Sequence, residues 1–513
     1  MTAPVAIITK NTHNFLIENI DPSVRFLFND FCRPLIAWTY KMEYGRMVRM
    51  PDKVYAASSQ SRSYYRFHIN QFEDFLAFCK EKGVPEAAFR IVDGTRYEPV
   101  NCSLPLREGW VPKEDQVNDI KYLIESPHPG RLLTRQTGTG KTFCAMAACA
   151  ELGHRIVIIV KSMYLSKWHS DVSSILNVSK DDVITVKGGE ALKLLILRAK
   201  EGLLTEKVIL IGITSYQKWV SLVEEDPRKA EEEGYECMPD NFFETIGAGV
   251  RVTDEVHSHF HQMYKLDLYS NVPVSISLSA TLISRDPLVS RMYEVMYPLK
   301  HRTKELALNR YAVAIAVHFQ FEKPQIVRVT ERGGKNYSHN AVEKSIMGNP
   351  KMLKNYFTLI KRLVDLSYIS HPRKKKRLAV FASTVDMCGK IVKYLKQEYR
   401  HLDIRLYCDG APYANAIEPD IRVTTVGSCG AAIDIPDLVS VIMTHNIDSP
   451  QANVQALGRL RELKGGSPEE NAVYYYYLTA DNIQKHQIYD KTRRELFGPR
   501  TKKIADINAG IDV

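Results

Sequence analysis

The chain has 513 residues, of which 45% are hydrophobic and 25% are charged, and its formal net charge is +10. This length exceeds what one hydrophobic core supports, so two to four domains are expected, and the composition excludes an intrinsically disordered chain. No apolar run is long enough for a membrane span. The positive charge is compatible with a polyanionic partner without being diagnostic of one.

Targeting and redox signals are sparse in this sequence. Residues 1–10 lack a charged start followed by a long apolar stretch, which argues against a signal peptide. Nine cysteines are scattered along the chain and none forms a Cys-x-x-Cys pair, so neither a zinc ribbon nor a disulfide framework is indicated. We therefore expect reduced, buried thiols, a cytoplasmic location and no membrane partner.

Residues 1–110 are rich in aromatic residues and arginine and contain no phosphate-binding motif. The hydrophobic pattern predicts a short strand over 64–69 and a helix over 70–82, which Gly83 and Pro85 end. We interpret this region as a small α/β accessory domain. Two interpretations of its arginines and tyrosines stay open: contacts to nucleic acid, or a small aromatic core with solvated arginines. The residues concerned are Tyr40, Tyr44, Arg46, Arg49, Tyr55, Arg62, Tyr64, Tyr65 and Arg66.

From about residue 111 the sequence alternates short apolar strands with helices. Such alternation predicts two parallel sheets with ligands at the carboxyl ends of their strands. We place one α/β domain at 111–305 and a second at 306–513. The basic run at 373–377 is interpreted as a solvated loop rather than a phosphate contact. Strands are predicted over 155–160, 208–213, 250–254 and 274–279, and then over 312–319, 378–382, 404–408, 421–426, 439–444 and 472–478.

A Gly-rich turn between a strand and a helix indicates a nucleotide site. Residues 135–142 read Arg-Gln-Thr-Gly-Thr-Gly-Lys-Thr and lie between a strand end and an apolar helix. Glycines let backbone N–H groups face phosphates, and the helix N-terminus adds positive potential. Lys141 can reach the β- and γ-phosphates, and the Thr142 hydroxyl can ligate Mg²⁺. The predicted phosphate-binding residues are Thr137, Gly138, Thr139, Gly140, Lys141 and Thr142.

An acidic pair, Asp254 and Glu255, follows a later strand. Asp254 can hold Mg²⁺, usually through water, and Glu255 can orient and deprotonate the attacking water. Adjacent side chains at a strand end point in different directions, so a metal ligand and a base can coexist there. The next strand ends near Ser279 and Thr281, whose hydroxyls can bond to the acidic pair and relay the state of the nucleotide.

The segment from Gln455 to Arg461 is predicted to lie on a helix of the second α/β domain. An arginine presented to the γ-phosphate from another domain neutralises charge in the transition state and ties domain closure to hydrolysis. Arg459 is the main candidate for this arginine, and Arg461 is the second candidate. Gln455 is a further candidate catalytic residue in the same segment.

This ordered set resembles the motifs of superfamily 2 helicases, whose motor consists of two RecA-like lobes. The resemblance spans about residues 110–490 and implies an α/β fold with two tandem RecA-like parallel-sheet lobes and a small N-terminal α/β accessory domain. It implies ATP and Mg²⁺ as cofactors, with His257, Ser279 and Thr281 coupling the nucleotide state to movement. The matching segments are Asp254-Glu255-Val256-His257 for the DExH box, Ser279-Ala280-Thr281, and Gln455-x-x-Gly458-Arg459 for the final motif.

Shorter similarities to the same family assign further residues. The motifs that contact nucleic acid in these helicases correspond here to Lys161, Ser162, Thr214, Ser215, Ser383, Thr424 and Thr425. The fifth motif corresponds to a segment that includes Gly430 and Asp434, which the resemblance places at the nucleotide.

Three departures from the family pattern stand out. The adenine-contacting segment, roughly Arg-x-Tyr-Gln in such enzymes, reads Lys-Glu-Asp-Gln at 113–116, so Gln116 is kept and the stacking residues are changed. This change leaves adenine selectivity open. The second arginine of the final motif is expected at position 462, which is glutamate, and Arg461 is one residue short. Arg135 replaces the small first residue of the phosphate loop.

Within the superfamily the chain most resembles phage UvsW-type and XPB-type DNA helicases, which carry a small α/β domain used for DNA engagement. This resemblance implies an ATP-dependent DNA helicase that remodels forks, recombination intermediates or R-loops. Its expected partners are single-stranded and branched DNA and RNA–DNA hybrids, and a monomeric motor in the cytoplasm (of the host, if viral) is expected. An RNA helicase and a nucleic-acid-binding clamp with little hydrolysis are the alternatives.

Overall fold

The computed structural model describes residues 3–43, 46–59, 62–136, 138–280, 282–303, 308–331, 334, 336–408, 410–428 and 435–513. These residues divide into two compact units. Unit 1 contains most of residues 3–303, and unit 2 contains most of residues 308–513. Four predicted site residues lie outside the described residues: Thr137 of the phosphate loop, the coupling residue Thr281, and Gly430 and Asp434 of the fifth motif.

The N-terminal region of unit 1 forms one five-stranded sheet and a separate two-stranded ribbon. Its strands are β1 (Ala6–Lys10), β2 (Asn14–Glu18), β3 (Ile36–Glu43), β4 (Arg46–Val54), β5 (Ala57–Ser58), β6 (Tyr65–His68) and β7 (Phe89–Asp93), and its helices are α1 (Arg25–Cys32) and α2 (Phe72–Glu81). The sheet order is β5-β6-β2-β1-β7, with β1 parallel to β7 and the other pairs antiparallel. Antiparallel β3 and β4 pair only with each other.

An aromatic core holds the N-terminal sheet against α1 and α2. The helix periodicity predicted over 70–82 is correct, because the apolar side chains of α2 that recur at helical spacing are buried. Phe15 of β2 lies 5.4 Å, centroid to centroid, from both Phe67 and Phe75. Such tilted aromatic pairs each add about 0.5–1.5 kcal/mol beyond the area they bury. This core therefore accounts for much of the aromatic content of the region.

The remainder of unit 1 is built around a six-stranded parallel sheet of order β10-β11-β9-β12-β13-β8. The sequence predicted its strands except β10, which is buried only at its two ends and gives no continuous apolar run. The strands are β8 (Gly130–Thr134), β9 (Ile156–Val160), β10 (Val183–Val186), β11 (Val208–Gly212), β12 (Val250–Thr253) and β13 (Val274–Ser279). The helices are α3 (Glu114–Glu125), α4 (Lys141–Leu152), α5 (Leu165–Ile175), α6 (Gly189–Lys200), α7 (Ile213–Glu225), α8 (Pro227–Glu232), α9 (Phe242–Thr245), α10 (Phe260–Leu268) and α11 (Pro287–Met296).

Unit 2 contains a seven-stranded parallel sheet of order β16-β17-β15-β18-β19-β14-β20. The strands are β14 (Ala312–Gln320), β15 (Arg377–Ala382), β16 (Ile404–Tyr407), β17 (Ile421–Thr425), β18 (Leu438–Met443), β19 (Val473–Ala480) and β20 (Lys503–Asp512). The helices are α12 (His339–Met347), α13 (Pro350–Val364), α14 (Val385–Glu398), α15 (Ala414–Ile417), α16 (Pro450–Leu457) and α17 (Gln484–Phe497). The predicted fold class, two parallel-sheet α/β lobes with an N-terminal α/β region, is confirmed.

A buried ionic network joins the N-terminal sheet to the parallel sheet within unit 1. The Asp267 carboxylate on α10 accepts a hydrogen bond from Arg251 on β12 and lies 3.4 Å from Nε2 of His68 on β6. Although burial opposes it, the Arg251 guanidinium holds the pKa of Asp267 below its usual range. All three side chains are almost fully buried. The domain boundary predicted at residue 110 remains a prediction, because both sheets belong to one compact unit.

The basic run at 373–377 is only partly solvated. Arg373 lies 3.0 Å and Arg377 3.9 Å from the Asp437 carboxylate, and both arginine side chains are largely buried. Lys375, in contrast, is exposed and lies 3.5 Å from the same carboxylate. Much of the positive charge of this run is therefore paired with Asp437 inside unit 2. Among the described residues, no helix combines the length and apolar character needed to cross a bilayer.

Candidate active site

The phosphate loop leaves β8 and enters α4, as predicted. Gly138 and Gly140 have φ values of +81° and +87°, a region that residues with a Cβ rarely adopt. Gly140 caps α4, so the helix begins at Lys141 and points its N-terminal N–H groups toward the loop. The buried Lys141 donates from Nζ to the Arg135 carbonyl over 3.2 Å. Thr142 lies in the first turn of the same helix.

Gln116 holds the loop from the side of α3. Its amide Nε2 donates to the Thr139 carbonyl over 3.1 Å, and its Oε1 accepts from the Lys113 backbone N–H at 3.0 Å. A Cβ on Gly140 would lie 2.3 Å from Gln116 Nε2, so a larger residue there would displace the Gln116 amide from the loop. Gln116 thus contacts the phosphate loop itself, in addition to its predicted place at the base.

An aromatic pair that the sequence analysis missed lies beside the loop. Trp110 stacks on Phe143 of α4 with ring centroids 5.1 Å apart, and its indole N–H donates to the Ser174 carbonyl over 2.8 Å. The Trp110 ring is 42% exposed. It therefore offers an aromatic face on which a base can stack. Its position ahead of the 113–116 segment gave no motif signal.

The acidic pair follows β12, and the sheet order brings it near the phosphate loop. β8 and β12 both flank β13, so their carboxyl ends share one edge of the sheet. The Asp254 carboxylate accepts hydrogen bonds from the Glu255 backbone N–H at 2.8 Å and from Trp168 Nε1 at 3.2 Å. Burial, and then the Glu255 charge, raise the pKa of Asp254. A divalent cation at this position would offset that cost.

Glu255 has a left-handed backbone conformation with φ of +47°, unusual for a residue with a side chain. Such a strained backbone conformation persists where surrounding contacts hold it in place, and it is enriched in active sites. Glu255 Oε2 lies 3.3 Å from His257 Nε2, and His257 Nδ1 is hydrogen-bonded to Ser279 Oγ at 2.9 Å. Burial, and then the Lys141 charge, lower the pKa of His257 to about 3, so the ring is neutral near pH 7. The ring therefore connects the acidic pair to the end of β13.

A polar groove, lined by three lysines and three glutamates, contains three of the nucleic-acid residues predicted in this lobe. Ser162, Thr214 and Ser215 line a groove with a volume of about 790 Å³. Ser215 Oγ accepts a hydrogen bond from the Gly188 backbone N–H at 2.9 Å, which fixes the turn before α6. Three lysines that the sequence analysis missed also line it: Lys187, Lys193 and Lys218. The strand-Lys-Gly-Gly-helix order at 186–189 is a signal that could have indicated Lys187. Lys161, half-buried, directly precedes Ser162.

The predicted nucleic-acid residues of unit 2 lie at the carboxyl ends of two neighbouring strands, β15 and β17. The Ser383 backbone N–H donates to the Glu343 carboxylate over 2.6 Å. Thr424 is fully buried, whereas Thr425 donates from Oγ1 to Ser428 Oγ over 2.8 Å. The buried position of Thr424 within β17 makes Thr425 the more accessible of the two hydroxyls.

The helix predicted for the final motif is shorter than expected. α16 includes Gln455 and ends at Leu457, and Gly458 is its C-cap. The prediction that Arg459 and Arg461 lie on this helix is therefore wrong, because Gly458 releases the chain from helical geometry. Arg459 is 4% exposed, and Arg461 donates from one guanidinium nitrogen to the carbonyls of residues 458 and 460.

Residues 112–284 match the family model described as "Type III restriction enzyme, res subunit". Among solved structures, S. cerevisiae Dbp5 bound to RNA and ADP BeF3 matches with a TM-score of 0.51 and 12% identity, over 78% of this chain and 90% of that one. Residues 112–284 therefore resemble the motor of superfamily 2 helicases, and the structural match shows a shared fold. The crystal structure of T4 UvsW also matches, with a TM-score of 0.34 and 12% identity over 98% and 99% of the two chains. No curated protein sequence matches.

The similarity to superfamily 2 helicases implies ATP binding with a divalent metal, and the site suits these ligands. The positive φ values of Gly138 and Gly140 form a backbone cradle for phosphates. Thr142 at the start of α4 and the buried Asp254 carboxylate are the residues that would hold Mg²⁺, which prefers oxygen ligands. The bound metal would neutralise charge that develops on the phosphates.

Proposed function

We propose that this chain is an ATP-dependent DNA motor that unwinds or remodels branched DNA, such as forks, recombination intermediates or R-loops. The observation that carries the proposal is the polar groove of unit 1, which combines hydroxyl groups, three lysines and the N-terminus of α6 with three glutamates. Such a surface suits phosphates rather than base edges. Little base specificity and a strong salt dependence of binding therefore follow.

In the proposed cycle the residues of the two lobes have separate tasks. Lys141 and Thr142 hold the phosphates and Mg²⁺, and Glu255 orients and deprotonates the attacking water. His257 and Ser279 connect this step to β13. Arg459, with Arg461, neutralises charge on the γ-phosphate when the lobes close, and Gln455 of the same motif is a further catalytic candidate. The motor acts as a monomer, because one chain supplies both lobes. We place this monomer in the cytoplasm.

We also propose that residues 1–110 engage the DNA substrate, chiefly through the β3–β4 ribbon. Tyr40 and Met47 are about 60% exposed. The Arg49 guanidinium lies over the Trp38 ring at 4.4 Å, and Arg46 is exposed. Exposed rings combined with arginines suit stacked bases and phosphates. In contrast, Tyr55 and Tyr65 belong to the core and Arg66 pairs with Asp240, so the two interpretations of this region apply to different residues.

The base of the ribbon is attached to α10, the helix that follows the DExH residues. His261 Nε2 lies 3.0 Å from the carbonyl of Val54, the last residue of β4. Lys265 Nζ donates to the Ala56 carbonyl over 2.9 Å. The Tyr55 ring lies 5.1 Å from Tyr264. These contacts support a physical connection through which the substrate at the ribbon affects the ATP site.

ATP hydrolysis measured with different nucleic acids tests the proposal. The purified chain is assayed with no nucleic acid, single-stranded DNA, branched DNA and single-stranded RNA. We expect strong stimulation by DNA, strongest with branched DNA. Stimulation by RNA alone would instead indicate an RNA helicase, and tight DNA binding without hydrolysis would indicate a clamp.

Substitutions in the ribbon give a second test. We expect Tyr40→Ala and Arg49→Ala each to weaken DNA binding about tenfold, because one stacked base contributes about 1–3 kcal/mol. Fluorescence anisotropy with labelled single-stranded and forked DNA measures the change. Arg90→Ala is the matched control, since Arg90 is exposed on β7 outside the ribbon. Equal affinity of the Tyr40, Arg49 and control variants would contradict a role for the ribbon.

A further inference from the structure

Two departures from the family pattern, at the start of the phosphate loop and in the first turn of α3, are in direct contact. Arg135 occupies the position where such loops usually have a small residue, and its side chain is almost fully buried. Its guanidinium forms an ion pair with the Asp115 carboxylate and a 2.6 Å hydrogen bond to Asp119 Oδ2. A third hydrogen bond, of 2.9 Å, reaches the Asp115 carbonyl. An unusual cation is thus matched by acidic residues one helical turn apart on α3.

The same guanidinium also holds the loop itself. Arg135 Nε donates to Thr139 Oγ1 over 3.3 Å, while Gln116 Nε2 donates to the Thr139 carbonyl over 3.1 Å. Thr139 is therefore held from both its side chain and its backbone, immediately before Gly140 and Lys141. The Arg135 carbonyl in turn accepts the 3.2 Å hydrogen bond from Lys141 Nζ. Every one of these bonds lies within unit 1.

The directions of these bonds show what Arg135 does. An arginine beside a phosphate loop is a natural candidate for a phosphate ligand. Here, however, all three guanidinium nitrogens donate to protein acceptors on α3 and Thr139. The planar guanidinium suits such a multi-point attachment, which a lysine ammonium cannot reproduce. Arg135 therefore acts on the loop rather than on a phosphate.

We propose that Arg135, Asp115 and Asp119 form a clamp that fixes the phosphate loop against α3 in its nucleotide-binding conformation. The clamp makes Arg135 a positioning residue for the nucleoside triphosphate. It couples the helix that carries Gln116 to the residues that receive the phosphates. This inference rests on ATP binding by the motor, and it goes beyond the proposed function because it assigns a role to residues outside the family motifs.

The clamp predicts a particular kinetic signature. Preorganisation of the loop stabilises the bound ground state and the transition state alike, so its loss raises KM and leaves kcat nearly unchanged. We expect Arg135→Met to raise KM for ATP, and Kd for a fluorescent ATP analogue with Mg²⁺, by about tenfold, equivalent to about 1.4 kcal/mol. Arg135→Lys should recover only part of this loss.

Arg135→Met leaves the buried Asp119 carboxylate without its cation, which can impair folding on its own account. The double variant Arg135→Met, Asp119→Leu removes both charges and keeps the test valid. We expect it to fold with a melting temperature near that of the unmodified chain, while KM and Kd stay raised. Arg90→Met is the control for loss of an arginine, because Arg90 is exposed on β7.

Three outcomes would overturn this inference, and they can be told apart. Unchanged Kd and KM in the folded double variant would exclude the clamp while leaving ATP hydrolysis established. A loss of kcat at constant KM would assign Arg135 to the transition state instead. Absence of nucleotide binding by the unmodified chain would refute the ATP site itself, and with it the proposed function.

Discussion

Glu255→Gln is expected to lower kcat for ATP hydrolysis about a thousandfold, in the range for loss of a general base. The amide keeps the size of the side chain but cannot take a proton from the attacking water. Glu255 lies next to the metal-binding candidate Asp254 and near His257 Nε2, so the substitution changes the charge at the centre of the site. Phosphate release at saturating ATP and DNA measures the effect.

The same variant should still bind Mg–ATP, since Lys141 and the loop backbone are untouched. Lys141→Ala is expected to lose both binding and hydrolysis, because it removes the cation that reaches the β- and γ-phosphates. Glu398→Gln is the matched control, as this glutamate is exposed at the end of α14. If Glu255→Gln hydrolysed ATP at the normal rate, another group would have to be the base.

Asp267→Ala is expected to destabilise unit 1 by about 3–5 kcal/mol, the usual cost of removing one partner of a buried ion pair. Arg251 is 1% exposed and would remain as an uncompensated buried charge between β12 and α10. The loss should be visible as a lower melting temperature of the intact chain. Hydrogen exchange in β12, α10 and β6 should accelerate, because the network joins these three elements.

Asp240→Ala provides a graded control for this effect. Asp240 pairs with Arg66 at 2.7 Å across the same internal boundary, but its side chain is 34% exposed. Water can therefore solvate the partner arginine in part, and the expected loss is smaller. The double variant Arg251→Met, Asp267→Leu should recover most of the stability, since it removes both charges together. Equal losses for Asp240→Ala and Asp267→Ala would contradict this account.

The strands around the site could be predicted because burial on both faces requires an apolar run. β9 and β11 are buried along their whole length, and each appears in the sequence as five apolar or small residues. The short β10 and the edge strand β20 were missed. β20 is buried only along one side, so its residues alternate and give a weaker signal.

The phosphate loop and the acidic pair could likewise be predicted, because their chemistry requires particular residues in a particular order. Lys141 must follow a glycine at positive φ, and Asp254 and Glu255 must end a strand. The helix end at Gly458 was not predicted, since a glycine there is compatible with either continuing or ending a helix. The lysines of the groove were not predicted, because residues distant in the chain meet only after folding.

The sequence by itself determined the motor fold and the order of its motifs, since both follow from local patterns of apolar, glycine and acidic residues. Only the tertiary structure decided which arginines are structural and which are exposed. Arg66 is buried in an ion pair while Arg49 lies on an exposed ribbon, and their neighbours in the chain do not distinguish them. Arg135 similarly became intelligible only when Asp115 and Asp119 were seen to surround it, because the free energy of a buried charge depends on partners that folding brings together.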